Sequence, residues 1–391
     1  MTLLPLTAGF MPLIDAAPLI IARELGFAEE EGLNLTLQSG PSWSTLRDRL
    51  VLGQIEAAHM LSPVPVAMAL GLGGIATPLD ALSVLSVNGN VIGVSNTVAA
   101  RLRANGFTTD FQDATTAGLA LAQLDGTLRI GVPFPFSMHA ELLHYWLAGL
   151  GLPENLSISV HTIPPPLMAD AIAANEIDAF CVGEPWGSIT VENGGGELLL
   201  PCASIWQFSP EKVLAVRRDW AETQDDMAGR LLRAVWKAGR WLGNTSKLST
   251  ATEILSWPEY LGLPAEILER ALTGRMVISR STRAHRVPRM VNFYDGAATF
   301  PWKSQAAWIG AQLAHRCGLD PSQSAEKAAT VFRSDLYRRH LAPMGADMPA
   351  ASVKLEGALD TPTAAKSGTG TLILGPDAFF DGRVFDPASN N

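Results

Sequence analysis

The phrase EIDAFCVG at residues 176 to 183 restates one the chain has already used at 54 to 60, QIEAAHM: a polar residue, Ile, an acid, Ala, then a short apolar run. Each phrase follows a stretch with helical spacing, RDRLVLG before the first and PLMADAIAAN before the second. A helix that ends, an acid at the turn and a buried strand make one α/β step, and the same step at two distant places requires two such units in succession. In the first unit the pattern predicts strands at 2 to 8 and 33 to 37, a helix over 17 to 31 ended by Gly32, and a second helix opening after Ser42 as N-cap and stopped by Gly53. In the second it predicts a strand near 127 to 136, a helix over 138 to 150, a strand at 157 to 162, a helix from 166 to 175, and the strand IDAFCV. Ligands of open parallel sheets sit beyond the carboxyl ends of the strands. The loops that follow the two phrases, HMLSPVPVA and VGEPWG, are therefore expected to face one cleft between two lobes.

Beyond about residue 205 the spacing turns helical, with segments at 219 to 243, 247 to 256, 264 to 273, 304 to 317 and 323 to 332. Small and polar residues dominate from 345 to 371, which predicts a mobile connection, and the aromatic ending FFDGRVFDP is expected to dock on the body. A net charge of −9 argues against a surface that grips nucleic-acid phosphates. Cys181, Cys202 and Cys317 share no close spacing and read as small core residues, without a zinc knuckle or disulfide framework. No apolar run reaches the roughly 18 residues of a membrane span. The first basic residue is Arg23, so the positive start of an export signal is missing and a cytoplasmic address is expected.

The stretches DAAPLIIARELGFAEEEGL, SWSTLRDRLVLGQIEAAHMLSPVPVA, HYWLAGLGL, PPPLMADAIAANEIDAFCVGEPW, SPEKVLAVRRDW, FYDGAATFPW, FRSDLYR and FFDGRVFDP resemble, in order, the nitrate- and bicarbonate-binding proteins of ABC importers and their cytoplasmic relatives, the NasS-type nitrate/nitrite sensors. The resemblance implies an α/β, two-lobed, type II periplasmic-binding-protein-like fold, with parallel-type sheets flanked by helices and a ligand cleft between the lobes. Residues 1–92 and 205–344 are expected to form the first lobe, 93–204 the second, and 345–391 a tail. Of the roles the resemblance offers, the cytoplasmic sensor fits the missing leader: it would hold an RNA-binding antiterminator of NasT type and release it when nitrate or nitrite arrives. The alternative is the solute-binding component of an ABC importer for nitrate, nitrite, cyanate or bicarbonate.

Nitrate is a planar anion that stays ionised at biological pH, so its pocket needs donors and positive potential rather than a catalytic acid or base. Trp43 follows the predicted cap Ser42, and His139 lies in the first turn after Ser137, so each would carry a ring N–H at a helix start, one per lobe. The resemblance places binding residues at these two positions and at Asn90, Gly183 and Lys212. The helix start favours a neutral His139 ring. Gly183 would let its backbone approach the ligand. Lys212 offers donors only and so favours nitrate or nitrite over bicarbonate, whose hydroxyl needs an acceptor. His59 reads as a residue supporting the cleft, and Glu184 as a hinge or cap residue turned toward backbone donors or an arginine. No nucleotide, metalloprotease or hydrolase motif is present: GLGGIA at 71 to 76 stands in the wrong context, and His139 and His144 lack the partners of a metal site. Neither a catalytic function, a cofactor nor a metal is expected.

Overall fold

A computed structural model describes residues 2–151 and 156–389. Residues 152–155 of the expected second lobe and the last two residues of the expected tail lie outside it.

Two sheets flanked by helices carry the architecture. The first contains β1 (Leu4–Phe10), β2 (Leu33–Ser39), β3 (Ala57–Leu61), β4 (Leu79–Asn88), β10 (Pro210–Arg217) and a two-residue strand, Val291–Asn292. The second contains β5 (Asn90–Ser95), β6 (Gly126–Val132), β7 (Leu156–Thr162), β8 (Ala179–Gly183) and β9 (Gly196–Pro201). Within the first, β1 runs parallel to β2 and β3, whereas β10 lies antiparallel between β3 and β4. Within the second, β6 runs parallel to β7 and β8, whereas β5 lies antiparallel between β8 and β9. The expectation of parallel-type sheets is corrected to mixed ones. The strands reached by crossing between the sheets, β5 and β10, each insert antiparallel into the middle of the receiving sheet.

The two repeated phrases deliver matching strands. β3 and β8 are buried at every residue and neighbour β1 and β6 respectively. A strand covered on both faces reads as a continuous apolar run. That is why both phrases lack polar alternation.

The first crossing falls at Gly89 (φ +107), between β4 and β5, a few residues before the expected boundary at 92. Asn88 ties it to the return crossing: its Nδ2 donates to the carbonyls of Gln207 and Arg289, and its Oδ1 accepts from the Ser209 N–H. The region after 205 is therefore not only helical, since its first element, β10, is a central strand of the first sheet. Periodicity missed it because PEKVLAVR sets an acid and a base before its apolar run, and both Glu211 and Lys212 are buried.

Two predicted helices are broken. The segment 17 to 31 divides into Ala17–Glu24 and Phe27–Glu30, where Gly26 adopts φ +76, a conformation open to glycine at little cost. The segment 219 to 243 divides at Gln224 into Arg218–Thr223 and Asp225–Leu242, the second opening on two acids that suit a helix N-terminus. Its apolar face, with Leu231 and Leu232, joins Ile20, Ile21 and Leu214 in one core on the outer side of the first sheet.

The tail closes over the body. Phe379 stacks on Trp206 and Trp308 with ring centroids 4.8 and 5.7 Å apart. Tyr145 of the second lobe donates from its hydroxyl to Asp381. The cysteine reading needs one correction: Cys181 and Cys202 are buried, with their sulfurs 3.5 Å apart, but Cys317 is exposed at the end of the helix Lys303–Cys317.

Candidate functional site: a buried polar cluster between the lobes

Two helix starts open the site. Ser42 caps the helix Trp43–Val51 by accepting from the Thr45 N–H, which puts Trp43 at the first helical position. In the other lobe Ser137 caps the helix Met138–Gly149 by accepting from the Ala140 N–H, which puts His139 in the first turn. A serine oxygen at this position satisfies one of the orphan donors of the first turn and fixes the entry angle of the chain. Both rings are buried, at 1% exposure each.

Strand ends bring the remaining groups. Asn90 opens β5, and Gly183 ends β8 directly opposite it. Lys212 lies on β10, flanked by Leu61 of β3 and Ser86 of β4. A Cβ placed on Gly183 would meet Leu13 Cδ2 at 2.6 Å and reach within 3.4 Å of Asn90 Oδ1 and 3.8 Å of Asp15 Oδ2, so any larger residue here must displace Leu13 and crowd the polar groups. Trp43, Asn90, His139, Gly183 and Lys212, five positions spread over 170 residues, are thus brought to one interior space.

Two residues that the sequence did not single out complete it. Asp15, in the short turn Ile14–Ala16 after β1, places Oδ2 2.7 Å from Lys212 Nζ and Oδ1 2.8 Å from His59 Nε2. Glu211 places Oε1 2.8 Å from the same Nζ and 3.4 Å from His139 Nδ1. None of Asp15, His59, Glu211 and Lys212 is exposed. The Lys212 ammonium also lies 5.5 Å from the centre of the Trp43 ring, which in turn packs 5.5 Å from His59. His59 therefore supports the site by holding Asp15, in line with the role read for it.

Burial and neighbouring charge set the protonation states. Burial would raise the Asp15 carboxyl, but Lys212 and His59 together hold it well below its ordinary range. Burial would lower the Lys212 ammonium, yet Asp15 and Glu211 outweigh it and keep it charged. Burial, with Lys212 nearby, pushes His139 well below its usual value, and burial lowers His59 despite Asp15, so both rings are neutral at pH 7. Glu211 goes the other way: burial raises it and Lys212 only partly opposes.

Several polar atoms here have no partner of good geometry: Trp43 Nε1, both His139 ring nitrogens, both Asn90 amide atoms and Glu211 Oε2. Asn90 faces Glu211 without closing an aligned hydrogen bond. A buried polar group left unpaired costs about 1–3 kcal/mol, and such groups in a folded protein require an explanation. They converge on one ammonium and two helix starts, an arrangement of unspent donors beside a positive charge that is able to accept a small anion. No group of three or more His, Cys, Asp or Glu residues among those described is arranged to hold a metal ion.

Glu184 is buried near the cleft floor; its Oε2 accepts from the Ser188 N–H at 3.4 Å, and burial pushes its carboxyl up to about 7. Its carboxylate thus turns to a backbone donor. Its own backbone spans the lobes, donating to the Gly89 carbonyl and accepting from the Ile14 N–H. Trp186 adds a second tie by donating from Nε1 to the Pro12 carbonyl at 2.9 Å. These contacts hold the cleft closed.

Residues 3–256 match the model of the NMT1-like family. The chain belongs to the NMT1-like family. Among NMT1-like relatives, the nitrate/nitrite binding protein NrtA of Nostoc sp. is 30% identical over 387 residues, covering 97% of this chain and 82% of that protein. The nitrate import ATP-binding protein NrtC of Synechocystis sp. is 32% identical over 344 residues, but the chain spans only about half of its length, 50%. The crystal structure of the periplasmic nitrate-binding protein NrtA from Synechocystis superposes with a TM-score of 0.84 at 28% identity, over 99% of this chain and 97% of that one. The fold is accordingly the periplasmic-binding-protein-like one expected from the resemblance. No helix among the described residues is long and apolar enough to cross a membrane.

Proposed function

We propose that the chain binds nitrate or nitrite between its lobes and serves as the binding component of an ABC importer rather than as an enzyme. The observation that carries this reading is the set of buried, unpartnered donors from Trp43, Asn90 and His139 gathered around the Lys212 ammonium. The nitrate/nitrite binding and nitrate import for which the relatives are named support the same ligand and role. Trp43 and His139 supply ring N–H groups, Asn90 its amide, Gly183 close backbone approach and Lys212 the charge. Direct nucleic-acid binding has no part in this role.

As a donor only, Lys212 would favour nitrate or nitrite over bicarbonate, but Glu211 stands beside it in the same space. An acceptor for a hydroxyl is therefore present, and Lys212 alone does not discriminate between the two anions. Thermal-shift and calorimetric titrations with nitrate, nitrite, bicarbonate and cyanate test the reading: a ligand that binds the folded form raises the melting temperature. Lys212→Ala should weaken nitrate binding by about 1.5–3 kcal/mol, roughly 10- to 150-fold. A flat response to all four anions would refute it.

The sensor role keeps the same pocket and differs in address, cytoplasmic, and in partner, an RNA-binding antiterminator of NasT type. A pull-down with that partner separates the roles. Release on adding nitrate favours the sensor, and no association at any nitrate concentration favours the importer component.

A further inference from the structure

Asp15 and Glu211 share a single ammonium in a space where none of the three groups is exposed. The charged and titratable groups facing Glu211 come from five further places. They are Lys212 on its own strand, Asp15 from the turn after β1, His139 from the second lobe's helix start, Cys181 from β8 and, behind Asp15, His59 from β3. Asn90 of β5 adds a neutral amide. Lys212 is the one fixed cation in this set, and both imidazoles are neutral. With both carboxylates ionised, the cluster carries one net negative charge before any ligand enters, and an incoming nitrate would place a second beside it. In an interior of low dielectric such a pair of like charges is strongly disfavoured, and the group that can yield takes up a proton.

The geometry singles out which group that is. Asp15 has a close neighbour at each oxygen, Lys212 at one and His59 at the other, although neither contact closes an aligned hydrogen bond. Glu211 has both its close neighbours, Lys212 and His139 Nδ1, at Oε1, and its Oε2 has no aligned partner. Burial already favours its neutral form. A protonated carboxyl also changes from acceptor to donor, so a proton on Oε2 would add an O–H to the donors that Trp43, His139 and Asn90 present.

We propose that nitrate enters this site together with one proton, taken from solvent onto Glu211, so that the protein binds the neutral pair rather than the anion alone. The inference rests on the cluster being an anion site. No covalent bond is made or broken in the ligand; the proton passes from water or buffer to Glu211 Oε2. By linkage, nitrate affinity is flat below the pKa of Glu211 in the free protein and falls above it, by up to about tenfold per pH unit, until the bound-state pKa is passed.

Calorimetric titration of the full chain with sodium nitrate, in buffers of different ionisation enthalpy over a window from mildly acidic to mildly alkaline pH, counts the protons. The expected result is an uptake rising toward about one proton per nitrate as pH rises through that window, and an uptake near zero in Glu211→Gln, whose affinity no longer varies with pH. Should that variant fail to fold, the wild-type affinity measured against pH carries the test through its slope. Nitrate binding with the same heat in every buffer and a flat pH profile would overturn the proton uptake while leaving the anion site standing. Uptake that persists in Glu211→Gln would overturn the assignment to Glu211. Absence of nitrate binding at every pH would sink the anion site itself.

Discussion

Two lysines in this protein, Lys212 fully buried and Lys354 partly so, each sit between two carboxylates, and only one of them has the makings of a ligand site. Lys354 contacts Glu356 and Asp377 where the tail docks on the body, and Lys212 contacts Asp15 and Glu211 between the lobes. In the tail cluster the spare lone pairs are used up. Glu356 Oε1 accepts from the Ser304 hydroxyl, Asp377 Oδ1 from the Leu359 N–H, and the Ser304 oxygen accepts from the Lys354 N–H. In the cleft cluster the same charge arithmetic leaves Glu211 Oε2, the His139 nitrogens, the Asn90 amide and Trp43 Nε1 unmatched. Charge composition therefore does not mark a site. Unspent hydrogen-bonding capacity around the charges does.

Lys354→Met strands two buried carboxylates and should cost about 3–5 kcal/mol of stability by urea denaturation, with nitrate affinity unchanged. A loss of affinity would show that the two clusters are not independent. Glu184 offers a buried carboxyl with no cation in hydrogen-bonding reach among the described residues. Its folded-state pKa of about 7, against an ordinary value of 4.5, means that the folded form holds the proton more tightly. Its contribution is thus favourable below about pH 4.5 and is lost progressively as pH rises toward 7. Glu184→Gln should accordingly stabilise the protein by up to about 3 kcal/mol at pH 8 and have little effect at pH 4, measured as unfolding free energy at the two pH values.

Trp43→Phe keeps a ring beside His59 and Lys212 but removes the indole donor. Nitrate affinity should fall by about 1.5–3 kcal/mol in calorimetry, with the melting temperature of the free protein little changed. Ser137→Ala removes the cap that fixes His139, at an expected cost of about 1 kcal/mol in stability and a smaller, several-fold loss of affinity.

What the sequence made legible follows from the range of the signals. Ser42 before Trp43 and Ser137 before His139 are local capping patterns, and local chemistry fixed both helix starts. The twin phrases located β3 and β8 because a strand buried on both faces leaves a contiguous apolar trace. Asp15 and Glu211 were not legible. Asp15 sits in an apolar stretch where an acid reads as part of a helix entry, and Glu211 beside Lys212 reads as a solvated pair. The insertion of β10 between β3 and β4 brings Glu211 and Lys212 into the interior beside Asp15, and that pairing joins residues some 120 to 160 positions apart. The proximity of Cys181 to Cys202 was hidden for the same reason, since it depends on β8 and β9 both flanking β5. The split helices at Gly26 and Gln224 record turns that apolar spacing passes over.

A crystal structure of the protein grown with nitrate decides whether the cleft is an anion site. Planar density is expected in the closed cleft within hydrogen-bonding distance of Trp43 Nε1, His139, Asn90 and Lys212. Nitrate found elsewhere, with those four side chains keeping their present contacts around a space that holds no anion, would contradict this expectation.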